Sequence, residues 1–177
     1  MNLKKVLPGE HIPEDIYVII EIPYLSYPIK YEINKNTHTL FVDRFIPTPM
    51  LYPFNYGYIN NTLSEDNDPL DVLVLIPFAL QPKCVIQCKP VGILKMIDES
   101  GIDSKIIAVP TDKICTDYHK IKDIDDISDI EKNKIIHFFK HYKDLEKNKW
   151  VKITGFEDSV SAKFEIQKAL HAFIKNK

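Results

Sequence analysis

Three carboxylates fall within Asp66-Asn67-Asp68-Pro69-Leu70-Asp71, which runs directly into the apolar stretch Val72-Leu73-Val74-Leu75-Ile76. Acids this close repel one another unless cations sit between them. Hard oxygen donors of this kind suit Mg2+ or Mn2+. Pro69 pushes Asp68 out of helical geometry, and in an extended segment Asp66 and Asp68 share a side. A turn at Pro69 then brings Asp71 round to join them. An EF-hand does not fit, because its sixth position would be Asp71 and its twelfth Pro77, where glycine and glutamate are needed. A haloacid-dehalogenase nucleophile loop does not fit either, since Thr62-Leu63-Ser64-Glu65 is not a buried strand. The plain alternative is a solvated acidic turn. A second acidic group, Asp98-Glu99-Ser100-Gly101-Ile102-Asp103, closes into Lys105. Alone it reads as a hairpin turn; beside the first it can supply the further carboxylates of a multi-metal site.

Cationic and phenolic groups accompany these acids. In Ile29-Lys30-Tyr31-Glu32-Ile33, strand alternation puts Lys30 and Glu32 on one face, an ammonium beside a carboxylate. Arg44 is the only arginine among 23 basic residues, in a chain rich in lysine, isoleucine and asparagine that points to an AT-rich genome. An arginine surviving such a bias points to a need for guanidinium geometry, either pairing with an acid or clamping phosphate through two bonds. Tyr56 lies in Tyr52-Pro53-Phe54-Asn55-Tyr56-Gly57-Tyr58, where each aromatic has core packing as its simplest role. Glu21 ends the apolar run Val18-Ile19-Ile20 and therefore needs a partner cation. His137 and His141 have the i,i+4 spacing of zinc ligands, but no third ligand accompanies them, so a helix surface or subunit contact is expected.

These residues need a frame. Strand-like runs occur at Ile16–Ile22, Ile29–Ile33, Thr39–Phe45, Asp71–Ile76, Val85–Ile97, Lys105–Val109 and Trp150–Ile153, most bounded by Pro, Asn, Asp or Gly. Helical spacing replaces them near the C-terminus. Ser128 with Glu131 forms a capping box ahead of the stripe Ile135, Phe138, Tyr142, Leu145. A second helix runs from Ser159 to about Asn176, with Val160, Phe164, Ala169, Leu170 and Phe173 on one side. Strands first and helices last predict an α+β fold, a small closed β-barrel with flanking helices.

The 177 residues, 45% of them hydrophobic, fit one domain with a real core and exclude a disordered chain. A net charge of −2 argues against a general nucleic-acid or membrane-surface binder. No apolar run is long enough to span a bilayer, and Met1 to Glu10 lacks a secretory pattern, so a cytoplasmic location is expected. Cys84, Cys88 and Cys115 read as buried thiols.

Taken together, these blocks resemble the soluble family I inorganic pyrophosphatases of bacterial type over nearly the whole chain. The signature D-[small or polar]-D-P-[apolar]-D stands at Asp66 to Asp71, with supporting blocks at Glu21-Ile22-Pro23, Phe41-Val42-Asp43-Arg44-Phe45 and His137-Phe138-Phe139-Lys140-His141-Tyr142-Lys143. The resemblance implies an OB-like five-stranded barrel over a single domain, 1–177. It also implies hydrolysis of pyrophosphate with several Mg2+ ions, Mn2+ or Zn2+ substituting, and a homohexamer. Residue by residue, it implies a first metal at Asp66, Asp71 and Asp103, with Asp71 shared by a second. Asp98, Asp103 and Glu32 would serve the substrate-associated metals, supported by Glu21. Lys30, Arg44, Tyr56, Lys105, Tyr142 and Lys143 would hold phosphate, and Asp68 would accept the proton of the attacking water. Asn67 stands where glycine is common, a change the loop tolerates because asparagine accepts left-handed backbone. Two other readings remain to be separated: an OB-type module for nucleic acid, against which the acidic loops argue, and a nucleotide phosphohydrolase, which lacks a Walker or Nudix motif here.

Overall fold

The longest strand of the fold, Val85–Asp98, contains a proline and a glycine in its middle, and it bends where they lie. Its register shifts between Pro90 and Gly92, as expected for a proline admitted to a sheet only at a bulge. The computed structural model describes residues 3–176; the ends of the expected 1–177 domain, Met1, Asn2 and Lys177, lie outside the described residues. In chain order the strands are β1 (Ile16–Ile22), β2 (Ile29–Ile33), β3 (Leu40–Phe45), β4 (Asn55–Ile59), β5 (Asp71–Val74), β6 (Val85–Asp98), β7 (Gly101–Ile102), β8 (Lys105–Pro110) and β9 (Val151–Glu157). The helices are α1 (Asp129–His141) and α2 (Ser159–Lys175).

The bent β6 has more than one neighbour along its length. Its first residues pair with β1, its middle with β8 and its last third with β9 and β7. Because β1 also pairs with β4, β4 with β5, and β5 in parallel with β8, the pairings run β1-β4-β5-β8-β6 and return to β1. β2 and β3 form a separate antiparallel pair, docked on the sheet through Ile33, Leu40, Ile19 and Tyr58. The result is a mixed, sheet-dominated fold with two helices.

Both faces of the central strands are covered, which is why their sequences read as continuous apolar runs rather than alternating ones. Val72 and Val74 of β5 pack toward Ala162, Ile166 and Ala169 of α2, while Leu73 faces Ile135, Phe138 and Phe139 of α1. Ser128 caps α1, accepting from Glu131 N, but only half of the expected box forms: Glu131 Oε2 accepts from the Ser128 hydroxyl at 2.6 Å rather than from its backbone N–H. No helix among the described residues is long and apolar enough to cross a membrane.

Several local expectations need correction. β4 is a strand, although its tyrosines and glycine break the usual pattern. The α1 stripe ends at Tyr142, and Leu145 lies beyond the helix, exposed. On α2, Ala162, Ile166 and Ala169 form the buried side, whereas Val160 and Phe164 are exposed. The small alanines let the helix approach the sheet closely, and this outweighs the larger apolar groups in deciding which side faces inward. Cys88 is buried, with Cys84 and Cys115 half-buried.

Candidate active site

The parallel register of β5 and β8, Val72 against Ile106, sets Asp71 and Lys105 side by side where both strands begin. The Lys105 ammonium is buried, 2.5 Å from Asp71 Oδ2 and hydrogen-bonded to Asp103 Oδ1. Burial alone would strip its proton, but these two carboxylates outweigh burial and hold the ammonium protonated far above the usual range. Asp98, at the end of β6, accepts from Ser100 N and from Lys143 Nζ, both at 2.8 Å. Lys143 follows the C-cap of α1 and is itself buried.

The acidic loop is not extended. Ser64 N donates to Asp68 O at 2.8 Å, Asn67 is left-handed at φ 69°, and Thr62 Oγ1 accepts from Leu70 N at 2.9 Å. This braced turn still brings Asp66, Asp68 and Asp71 to one cleft of about 230 Å³. Burial raises the pKa of Asp66 and Asp103 from its ordinary value, and the negative charge of Asp71 adds to it in both.

The hairpin β2–β3 closes another side. Lys30 lies opposite Arg44 in the register, and both ammonium and guanidinium reach Asp43, at 3.3 and 2.8 Å. Arg44 Nε is also 3.3 Å from Glu146 Oε1, near enough for charge attraction but at an angle that makes no hydrogen bond. Tyr56 and Tyr142 line the same cleft with buried rings. Burial, reinforced for Tyr56 by Asp71, raises both phenols, so they are protonated donors at neutral pH.

The cleft thus gathers Asp66, Asp68, Asp71, Asp98, Asp103, Lys30, Arg44, Tyr56, Lys105, Tyr142 and Lys143. Glu21 and Glu32 line an adjoining hollow of about 50 Å³ that shares Lys30, Tyr56, Asp68 and Asp71 with it. Sequence reasoning named Glu99 only within the second acidic group and Tyr52 only as a packing aromatic, and it missed Lys149 in the cleft and Lys35 in the hollow. Lys35 supplies the cation Glu21 requires, at 3.2 Å, while sitting 3.5 Å over the Tyr58 ring. Neither lysine carries a motif; each reaches the site through a turn whose path the sequence does not encode locally. A larger cavity of about 560 Å³, lined by Met50, Phe54 and Phe138 among others, contains none of these acids.

The chain matches the inorganic pyrophosphatase family model over residues 18–174. It belongs to the inorganic pyrophosphatase family. It is 60% identical over 176 residues to the inorganic pyrophosphatase of Buchnera aphidicola subsp. Acyrthosiphon pisum, covering 99% of this chain and 97% of that one. With the Escherichia coli inorganic pyrophosphatase it shares 58% identity, over 94% of each chain. Among solved structures, an inorganic phosphatase from Anaplasma phagocytophilum is similar at a TM-score of 0.94 and 44% identity, covering 96% of this chain and 99% of that one. The Thermus thermophilus inorganic pyrophosphatase is similar at a TM-score of 0.92 and 39% identity, covering 98% of this chain and 99% of that one. This pyrophosphatase-family chain is an enzyme, and the acid-lined cleft is its candidate active site.

Among the described residues, no three carboxylate, imidazole or thiolate groups are already gathered closely enough to enclose an ion. Lys105 and Lys143 stand between the acids instead. The donor chemistry nevertheless fits a hard divalent cation, because Asp66, Asp71, Asp98 and Asp103 offer carboxylate oxygens to one cleft. His137 and His141 lie apart from it, their rings 4.9 Å from each other.

Proposed function

We propose that this protein hydrolyses inorganic pyrophosphate to two orthophosphates with Mg2+, and so draws pyrophosphate-releasing biosynthesis forward. The observation that carries this reading is one cleft in which acids alternate with buried ammonium groups, the acid loop Asp66–Asp71 at its mouth. Pyrophosphate is an anion that needs cations around it before water can approach. Asp66, Asp71, Asp98 and Asp103, with Glu32 and Glu21 toward the adjoining hollow, would hold Mg2+, which would supply that charge and make the attacking water more acidic. Mn2+ or Zn2+ would substitute.

The chain's own groups do the rest. Asp68 is exposed at the cleft mouth, unlike its neighbour Asp71, and takes the proton from water as its oxygen attacks phosphorus. Lys30, Arg44, Lys105 and Lys143 hold phosphate oxygens, and Tyr56 and Tyr142 donate to them. As the bridging P–O bond breaks, its electron pair leaves on the departing orthophosphate, where this cationic wall stabilises it.

The same reading takes the ring of pairings β1-β4-β5-β8-β6 as an OB-like closed barrel, in one domain over 1–177. It also places the enzyme in the cytoplasm as a homohexamer, with neither nucleic acid nor membrane as partner. Phosphate release from pyrophosphate, measured with and without Mg2+ on wild type and Asp68→Asn, tests it. Mg2+-dependent release that falls about a hundredfold or more in the variant is expected. Release from ATP at a comparable rate would favour a nucleotide phosphohydrolase instead. Absence of release from wild type would return the chain to the binding-module reading.

A further inference from the structure

Lys149 belongs to none of the motifs that mark the site, yet it lines the cleft. Its ammonium donates to Glu99 Oε1 at 2.5 Å. The Lys143 ammonium reaches both oxygens of the same carboxylate at 3.3 Å and donates to Asp98 Oδ2 at 2.8 Å. These four groups form a line of alternating charge running inward. Side-chain exposure falls from 37% at Lys149 to 19% at Glu99, then 6% at Lys143 and 9% at Asp98. The local backbone accounts for the outer end. Asn148 adopts φ 63°, and Lys149 N donates to Glu146 O at 3.4 Å, a turn that reverses the loop after Lys143.

A buried ammonium needs a counter-charge. On the pyrophosphatase reading above, on which this inference rests, Asp98 is given over to a cation and Lys143 loses its innermost partner. Glu99 is then the carboxylate that retains Lys143 at the cleft wall. We propose that Lys149 is a positioning residue that, through Glu99, fixes the Lys143 ammonium where it meets a phosphate group of the substrate. Lys149 itself does not touch the reacting atoms.

The test must separate this role from the plain attraction of one more positive charge. Plain charge predicts that Lys149→Met weakens anion binding and that Glu99→Gln strengthens it. Positioning predicts that both weaken it, because either change releases Lys143. Orthophosphate is titrated calorimetrically into the Mg2+-saturated protein. Lys149→Met and Glu99→Gln are each expected to raise its Kd about fivefold, and the double variant no more than either alone. Lys149→Arg, which keeps charge and donors, restores the wild-type Kd. The same order is expected in KM for pyrophosphate, with phosphate release continuing in all variants. An exposed ion pair adds little stability, so thermal unfolding of Lys149→Met should match wild type. Tighter orthophosphate binding by Glu99→Gln, an additive double variant, or unchanged Kd values overturn the proposal. Failure of wild type to release phosphate from pyrophosphate would instead overturn the enzymatic reading, and the titration decides Lys149 independently of it.

Discussion

Glu21 sits at the end of β1 only 4% exposed, where its carboxylate accepts from Ile33 N at 2.7 Å and from Lys35 at 3.2 Å. Burial raises its pKa from the ordinary 4.5 to about 7, and the nearby Lys35 lowers it only in part. Between those two values the folded protein binds this proton more tightly than the unfolded chain does. Stability is therefore highest below the unfolded value and is lost as pH rises toward 7, beyond which the loss is complete. The full window corresponds to about 3 kcal/mol. Replacing the acid by its neutral isostere removes the window. In urea unfolding of the metal-free protein, the stability of Glu21→Gln relative to wild type should improve by up to that amount between pH 4.5 and 7.5. A pH-independent difference would show that Glu21 does not hold its proton in the folded state. Tight placement of a costly acid beside the site is the pattern expected where carboxylates are kept for cations rather than for stability.

At the level of elements, close approach of β1 and β4 is what aims Tyr56 at the cleft. Gly57 pairs with Ile20, and a Cβ built on it would stand 2.0 Å from Ile19 O and 2.8 Å from Ile19 C. Neither atom is a flexible side-chain end, so the strands must part. Gly57→Ala is expected to destabilise the fold by about 3 kcal/mol in chemical denaturation. It should also weaken substrate binding in whatever fraction stays folded, since Tyr56 moves with its strand. A neutral substitution would mean that the two strands can separate without loss. The same element shows where sequence reading runs out. Most strands announce themselves because β5, β8 and the middle of β6 are covered on both faces and so read as apolar runs. β4 is hidden, since Asn55-Tyr56-Gly57-Tyr58-Ile59 spends its positions on a glycine for contact and tyrosines for the cleft and its hollow, which do not read as an apolar strand. The acidic loop was legible in composition because carboxylates crowded in six residues have few other uses, but its shape was not. Left-handed Asn67 and the Thr62 hydroxyl fold it into a turn instead of an extended segment. Glu99 and Lys149 meet across 50 positions of chain, and a contact of that kind leaves no local trace.

For the whole molecule, a single chain leaves much apolar surface in water. Tyr27 is 82% exposed, Phe78 73% and Phe45 72%, in a chain of net charge −2 that offers little repulsion between copies. On α1, His137 and His141 present neighbouring, tilted rings to the outside, His141 holding Asp144 at 2.8 Å. That face carries no part of the cleft, so it can be buried between copies without closing the site to substrate. Light scattering behind size exclusion should give about six times the chain mass of 20.6 kDa at micromolar concentration. Placing two acids on the α1 face, His137→Glu with His141→Glu, sets like charges against Asp144 and against a second copy. The expected result is a smaller species with unchanged helix content by circular dichroism, because both positions are at the helix surface. A monomer for wild type would overturn the assembly. An unchanged mass for the double variant would move the contact from α1 to exposed Tyr27 and to Phe41 and Phe45 of β3.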